Sequence, residues 1–127
     1  MALWKYLLIF AVALVSPAFQ VYAGDREQFI GMWQETHPRD HIVVFAEDGS
    51  WKLHLKKGEL SDLHSLGGTW RFLPDGRVQV SLTLNGNTKA FTSRLKFDGE
   101  EMVLVDPDGT ETRHRRHKGP IPERFQW

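Results

Sequence analysis

Apolar and polar residues alternate along most of this chain with a period of two. Trp51, Leu53 and Leu55 alternate with Lys52, His54 and Lys56, and Val78, Val80, Leu82 and Leu84 with Arg77, Gln79, Ser81 and Thr83. Phe91, Leu95 and Phe97 share one face, opposite Thr92, Arg94 and Lys96. Period two with one apolar face predicts half-buried antiparallel strands. His41 to Phe45 is apolar nearly throughout, Trp70 and Phe72 point inward from Thr69 to Leu73, and Met102 to Val105 is short. Thr110 to Arg116 forms a polar last strand, and Ile30 to Glu35 a first one, making eight in all.

Between these runs fall Asp48-Gly49, Asp75-Gly76, Asn85-Gly86, Asp98-Gly99 and Asp108-Gly109. Such pairs supply the positive φ angles of tight hairpins, so each strand should turn directly into the next. A meander of eight strands leaves two exposed edges unless it closes on itself. The expected fold is therefore all-β, an eight-stranded antiparallel up-and-down barrel, with a two-sheet sandwich as the alternative. The one helical signal is Asp25, able to cap a single turn before Phe29-Ile30, with Gln28 three residues on.

The first residues follow a different pattern. Lys5 precedes ten uninterrupted apolar residues, Tyr6 to Val15, then Ser16-Pro17 and Val21-Tyr22-Ala23. A basic start, a short apolar core and a small-x-small ending describe a secretory signal peptide cleaved after Ala23. The run is well short of the roughly 20 residues a membrane-spanning helix needs. This divides the chain into a signal peptide (1-23), a barrel domain (24-118) and a C-terminal tail (119-127) that can dock through Phe125 and Trp127. The expected location is the periplasm, or the medium if the protein is secreted.

Charge and composition narrow the function. The chain has 16 basic and 16 acidic residues, which gives no electrostatic footprint for nucleic acid. It has no cysteine, so an exported fold must rest on its core; of the chain's five tryptophans and eight phenylalanines, four and six follow Ala23 and can supply one. The outward faces carry Lys52, Lys56, Arg94 and Lys96, which a lipid-facing barrel would not tolerate, so no stable membrane insertion is expected.

A family resemblance rests on Gly31-Met32-Trp33, at the start of the first strand after a helical turn. This resembles the Gly-x-Trp motif that opens lipocalins, and the hairpin meander looks like the small lipocalin-like domains of exported bacterial proteins. The resemblance implies that Trp33 plugs the closed end of the barrel, with an arginine of the last strand, Arg113, Arg115 or Arg116, packed across it. Gly31 and Trp33 are then structural. The chain has no counterpart of the family's Thr-Asp-Tyr triplet, and its length implies a shallow barrel.

Catalytic and metal chemistry find little support in the residues. No Gly-x-Ser-x-Gly elbow or phosphate-binding glycine loop is present, and many aspartates belong to Asp-Gly turns. The six histidines, His37, His41, His54, His64, His114 and His117, lack metal-motif spacing. The expectation is a non-enzymatic binding protein with no cofactor and no metal. The candidate ligand is a small apolar or amphiphilic molecule held against Trp51, Trp70, Phe72 and Phe91.

In one register of the last strand Glu111, Arg113 and Arg115 face inward; in the other Thr112, His114 and Arg116 do. Arg113 and Arg115 are the candidates for an anionic head group, because a guanidinium suits bidentate contact with a carboxylate or phosphate. The alternative reading is a periplasmic protein-binding module, such as an enzyme inhibitor or immunity protein, using the irregular stretches Thr36 to His41 and Lys56 to Gly67. A cavity favours the first reading; a filled core with an exposed apolar patch favours the second.

Overall fold

The computed structural model describes residues 25–59, 63 and 65–126. The expected signal peptide and Trp127 lie outside the described residues. Residues 25–29 form one helical turn. Eight strands follow: β1 (Gly31–His37), β2 (His41–Phe45), β3 (Ser50–His54), β4 (Ser65–Phe72), β5 (Val78–Leu84), β6 (Asn87–Asp98), β7 (Glu101–Val105) and β8 (Glu111–Arg116). Each pairs antiparallel with the next, and β8 pairs with β1, closing an up-and-down barrel. Closure gives every strand two partners, so the sandwich alternative does not apply. A short 3-10 turn, Glu123–Phe125, buries Phe125 in the tail.

The turns carry out what the Asp-Gly pairs predict. Three hairpins repeat one solution, in which Asp48, Asp75 and Asp108 accept hydrogen bonds from the backbone N–H of Ser50, Arg77 and Thr110 at 2.9, 3.1 and 2.9 Å. The β5–β6 hairpin is tighter: Asn85 and Gly86 both have positive φ, 53° and 79°, the two-residue turn whose twist matches its strands.

Directly paired residues share a face of the sheet, so the register fixes which side chains enter the barrel. One inward row runs Trp33, Val43, Leu53, Leu66 across β1 to β4. Another runs Phe97, Met102, His114, Glu35, His41 across β6, β7, β8, β1 and β2. The inner face is mostly apolar, with its charged and imidazole groups gathered in that second row.

The two ends of the barrel differ. At one, Phe29 from the helical turn packs between Phe45, Trp70 and Phe72, with ring centroids 4.1, 5.0 and 5.6 Å away. Trp33, Val78 and Met102 complete this core, and all are nearly or fully buried. Burial of this many large rings is the main stabilising contribution to the barrel. The outer wall also has a covered spot. Val103 is fully buried and lies in register between Lys96 and Arg113, whose charged ends both meet Glu111. Long charged side chains commonly bury their stems in this way.

Candidate functional site

The other end of the barrel is hollow. A cavity of about 410 Å³ opens there, walled by Val43, Leu53, Val80, Leu82 and Leu104, with Phe45 and the Trp51 ring also lining it. Phe91 stands at its mouth, 53% exposed. Glu35, Arg39, Ser93, Asp106, Thr112 and His114 bring the polar atoms. Apolar walls with a few convergent polar groups are the usual composition of a small-molecule site.

The polar row deserves closest description because register alone assembles it. Glu35 is paired directly with His114 on one side and with His41 on the other. His41 and His114 are each 4% exposed. His41 Nε2 lies 2.8 and 3.0 Å from the Glu59 carboxylate oxygens, and its Nδ1 lies 3.8 Å from Glu35 Oε1. The Arg39 backbone N–H donates to Glu35 Oε2 at 3.1 Å. A bulge in the β1–β8 ladder between Glu35 and His37 follows at once, ending regular pairing at the mouth.

These surroundings push the two histidines in opposite directions. The Glu35 carboxylate is the largest influence on His41 and raises its pKa; burial opposes this, and Glu59 reinforces it. For His114 burial dominates and lowers the pKa, against weaker upward pulls from Glu35 and the Met102 and Thr112 carbonyls. Glu35 is itself held below the usual carboxylate range: burial raises it most, but His41, His114 and the Arg39 N–H together outweigh burial. His114 Nδ1 is buried with no hydrogen-bond partner among the described residues. An unpaired buried donor or acceptor costs about 1–3 kcal/mol, a cost a bound molecule or water can remove.

The six expected ligand contacts divide. Trp51 and Phe91 line the cavity. Trp70 and Phe72 do not: both are packed at the filled end, and Trp70 Nε1 donates to the Ala46 carbonyl at 2.9 Å. Arg113 and Arg115 are corrected outright. The register places Thr112, His114 and Arg116 inward, so Arg113 lies outside against Glu111 at 3.1 Å and Asp98 at 3.5 Å. Arg115, opposite Gln34 and Glu101, is exposed on the same outer face. An inward arginine head-group contact from these positions is therefore ruled out by strand geometry.

Arg116 occupies the filled end. Its guanidinium lies over the Trp33 ring, 3.9 Å from the centroid, and donates to the carbonyls of Ile30 and Gln28 at 2.7 and 2.6 Å. Trp33 Nε1 in turn donates to the Phe29 carbonyl at 2.9 Å. Gly31 has φ +136°, and a Cβ there would overlap Arg116 Nη1, so the glycine leaves the space the guanidinium fills.

Sequence reasoning missed Glu35, Arg39 and the carboxylate of Glu59, and offered His114 as an inward residue in one of two open registers. Period two counted from Trp33 places Glu35 inward, but the register of β8 had to be known before His114 joined it. Gly67 and Gly68 sit in regular pairing within β4, so the stretch expected to be irregular ends in a strand. A Cβ on Gly68 would overlap the Ser81 carbonyl and crowd Trp51 Nε1, which donates to that carbonyl at 2.8 Å. A larger but more open hollow, about 550 Å³, lies against β2, β3 and β4 beside Val44, Lys52, His54 and Gly67. It includes no fully buried polar group, so the interior cavity is the better-built site.

Among the described residues no cluster of three or more His, Asp or Glu side chains is arranged to hold a metal ion. Nor is any helix among them long and apolar enough to cross a membrane. No known family profile matches the chain, and no curated protein sequence matches it.

Proposed function

We propose that this protein is an exported, lipocalin-like, non-enzymatic carrier that holds a small apolar or amphiphilic molecule inside its barrel. The observation that carries the reading is the cavity itself: about 410 Å³, apolar-walled, with Glu35, Ser93, Asp106, Thr112 and His114 as its polar lining. A filled core would have favoured a protein-binding module. The Gly31-Met32-Trp33 motif beneath Arg116 supports the lipocalin-like assignment, and the apolar run Tyr6 to Val15 supports export to the periplasm.

Native mass spectrometry of the protein purified from its own host, before and after denaturation, tests this. The expected result is an added small mass that departs on unfolding. A bare chain that also leaves N-phenylnaphthylamine fluorescence unchanged overturns the carrier reading and returns the choice to a protein partner.

A further inference from the structure

We infer, on the carrier reading above, that the cavity selects amphiphiles with a protonated amine head over those with a carboxylate head. Three independent features of the cavity lining point the same way. The first is charge. Glu35 and Asp106 both line the cavity, and Arg39, exposed at the mouth, is the one Lys or Arg in the lining among the described residues. Glu35 is not neutralised by its neighbour, because His41 is shared with a second carboxylate, Glu59. Its depressed pKa keeps it ionised at neutral pH.

The second is a buried imidazole that brings no positive charge. His114 lines the cavity directly across the β8–β1 pairing from Glu35. Burial favours its neutral ring. An ammonium group carries three donors and no acceptor, so it can meet the Glu35 carboxylate without a competing cation beside it. A carboxylate head would bring a third negative charge beside Glu35 and Asp106 instead. The third feature is the aromatic wall. Phe45, Trp51 and Phe91 line the same space, and the faces of such rings attract cations and repel anions.

The Asp106 carboxylate accepts a bond from the Ser93 hydroxyl at 2.9 Å, which fixes it at the cavity wall and leaves its second oxygen for a ligand. The Arg113 and Arg115 positions, once expected to bind an anionic head, lie on the opposite face of β8 and contribute nothing to this selection.

Displacement of N-phenylnaphthylamine by decylamine, decanol and decanoate, each below its aggregation limit at neutral pH, reads the preference directly. Decylamine is expected to displace the probe at a concentration at least about tenfold below decanoate, as one partly buried charge contact allows. Glu35→Gln should shrink that ratio, and Asp106→Asn should do so separately, which keeps the test valid if the first variant fails to fold. Equal displacement by all three overturns the head-group inference and leaves the carrier reading standing. Preferred binding of decanoate also overturns it and makes Arg39 the head-group contact. Failure of the probe to bind a chain that is also bare in native mass spectrometry overturns the carrier reading and this inference with it.

Discussion

Arg116 and Trp33, 83 residues apart in the chain, form one closed plug: the guanidinium stacks 3.9 Å above the indole and ties the carbonyls of Ile30 and Gln28 to β8. The contact joins the last strand to the helical turn before the first, and so fastens the seam where the barrel closes.

Removing that guanidinium should loosen the seam. Arg116→Ala is expected to cost about 3 kcal/mol, from two charge-assisted hydrogen bonds and a cation–π contact. Arg116→Lys should recover part of this, because an ammonium keeps the charge but not the planar fork. Urea denaturation followed by tryptophan fluorescence measures both. A midpoint for Arg116→Ala equal to that of the parent would show that the stack contributes nothing.

Gly68→Ala should be as damaging in the wall as Arg116→Ala is at the end. The added methyl meets the Ser81 carbonyl, so β4 and β5 must separate or Trp51 must leave its hydrogen bond. The expected loss is about 2 kcal/mol or more, in the range of overpacked cores. Thermal denaturation and the Trp51 emission maximum report it together. An unshifted melting temperature would show that the pairing tolerates the methyl.

The two buried histidines should titrate on opposite sides of the ordinary value of 6.5. His41 is raised, so its contribution to stability is full below the unfolded value and is lost as pH rises through its folded value. His114 is lowered: below 6.5 the unfolded chain takes up a proton that the folded site resists, so stability falls as pH drops. Imidazole NMR shifts across the pH range should place His41 above His114. His114→Phe should then reduce the loss of stability on the acid side, leaving the share that belongs to His54, which burial and Lys52 also lower; the reverse order of titration would contradict the assignment.

Filling the cavity should separate binding from folding. Leu82→Trp puts a large ring into the space lined by Leu53, Val80 and Phe91. Uptake of N-phenylnaphthylamine is expected to fall by about tenfold or more, while stability changes by less than about 1.5 kcal/mol because the space is open rather than packed. Undiminished uptake would place the probe elsewhere on the molecule.

The proposed export makes a simple expectation as well. Intact mass of the protein recovered from outside the cytoplasm should correspond to a chain beginning at Gly24. A mass that retains residues 1–23 would refute cleavage after Ala23.

Much of the barrel was legible in local pattern. The Asp-Gly and Asn-Gly pairs set the turns, and period two set the faces of β3 and β5, because both are decided by neighbours in sequence. The start of β4 was not: Ser65 to Gly68 carries little alternation, and it becomes a strand through pairing with Trp51 to His54. The site was less legible. Trp51 and Phe91 were found by alternation, whereas Trp70 and Phe72 point inward just as they do but at the filled end. Position along the barrel axis depends on how all the strands are staggered, which no single strand encodes.

The sequence by itself determined the number of strands, their order and the inner faces of those with an apolar side, since each follows from turn chemistry and a two-residue period. The tertiary structure alone decided which face of β8 looks inward. That polar strand has no apolar side of its own to choose by, and a shift of one residue exchanges its two faces. Pairing with β7 and β1 fixed the choice, sending Arg113 and Arg115 out while seating His114 beside Glu35 and Arg116 over Trp33. Closure of the barrel, rather than any local preference, therefore gave the cavity its polar chemistry.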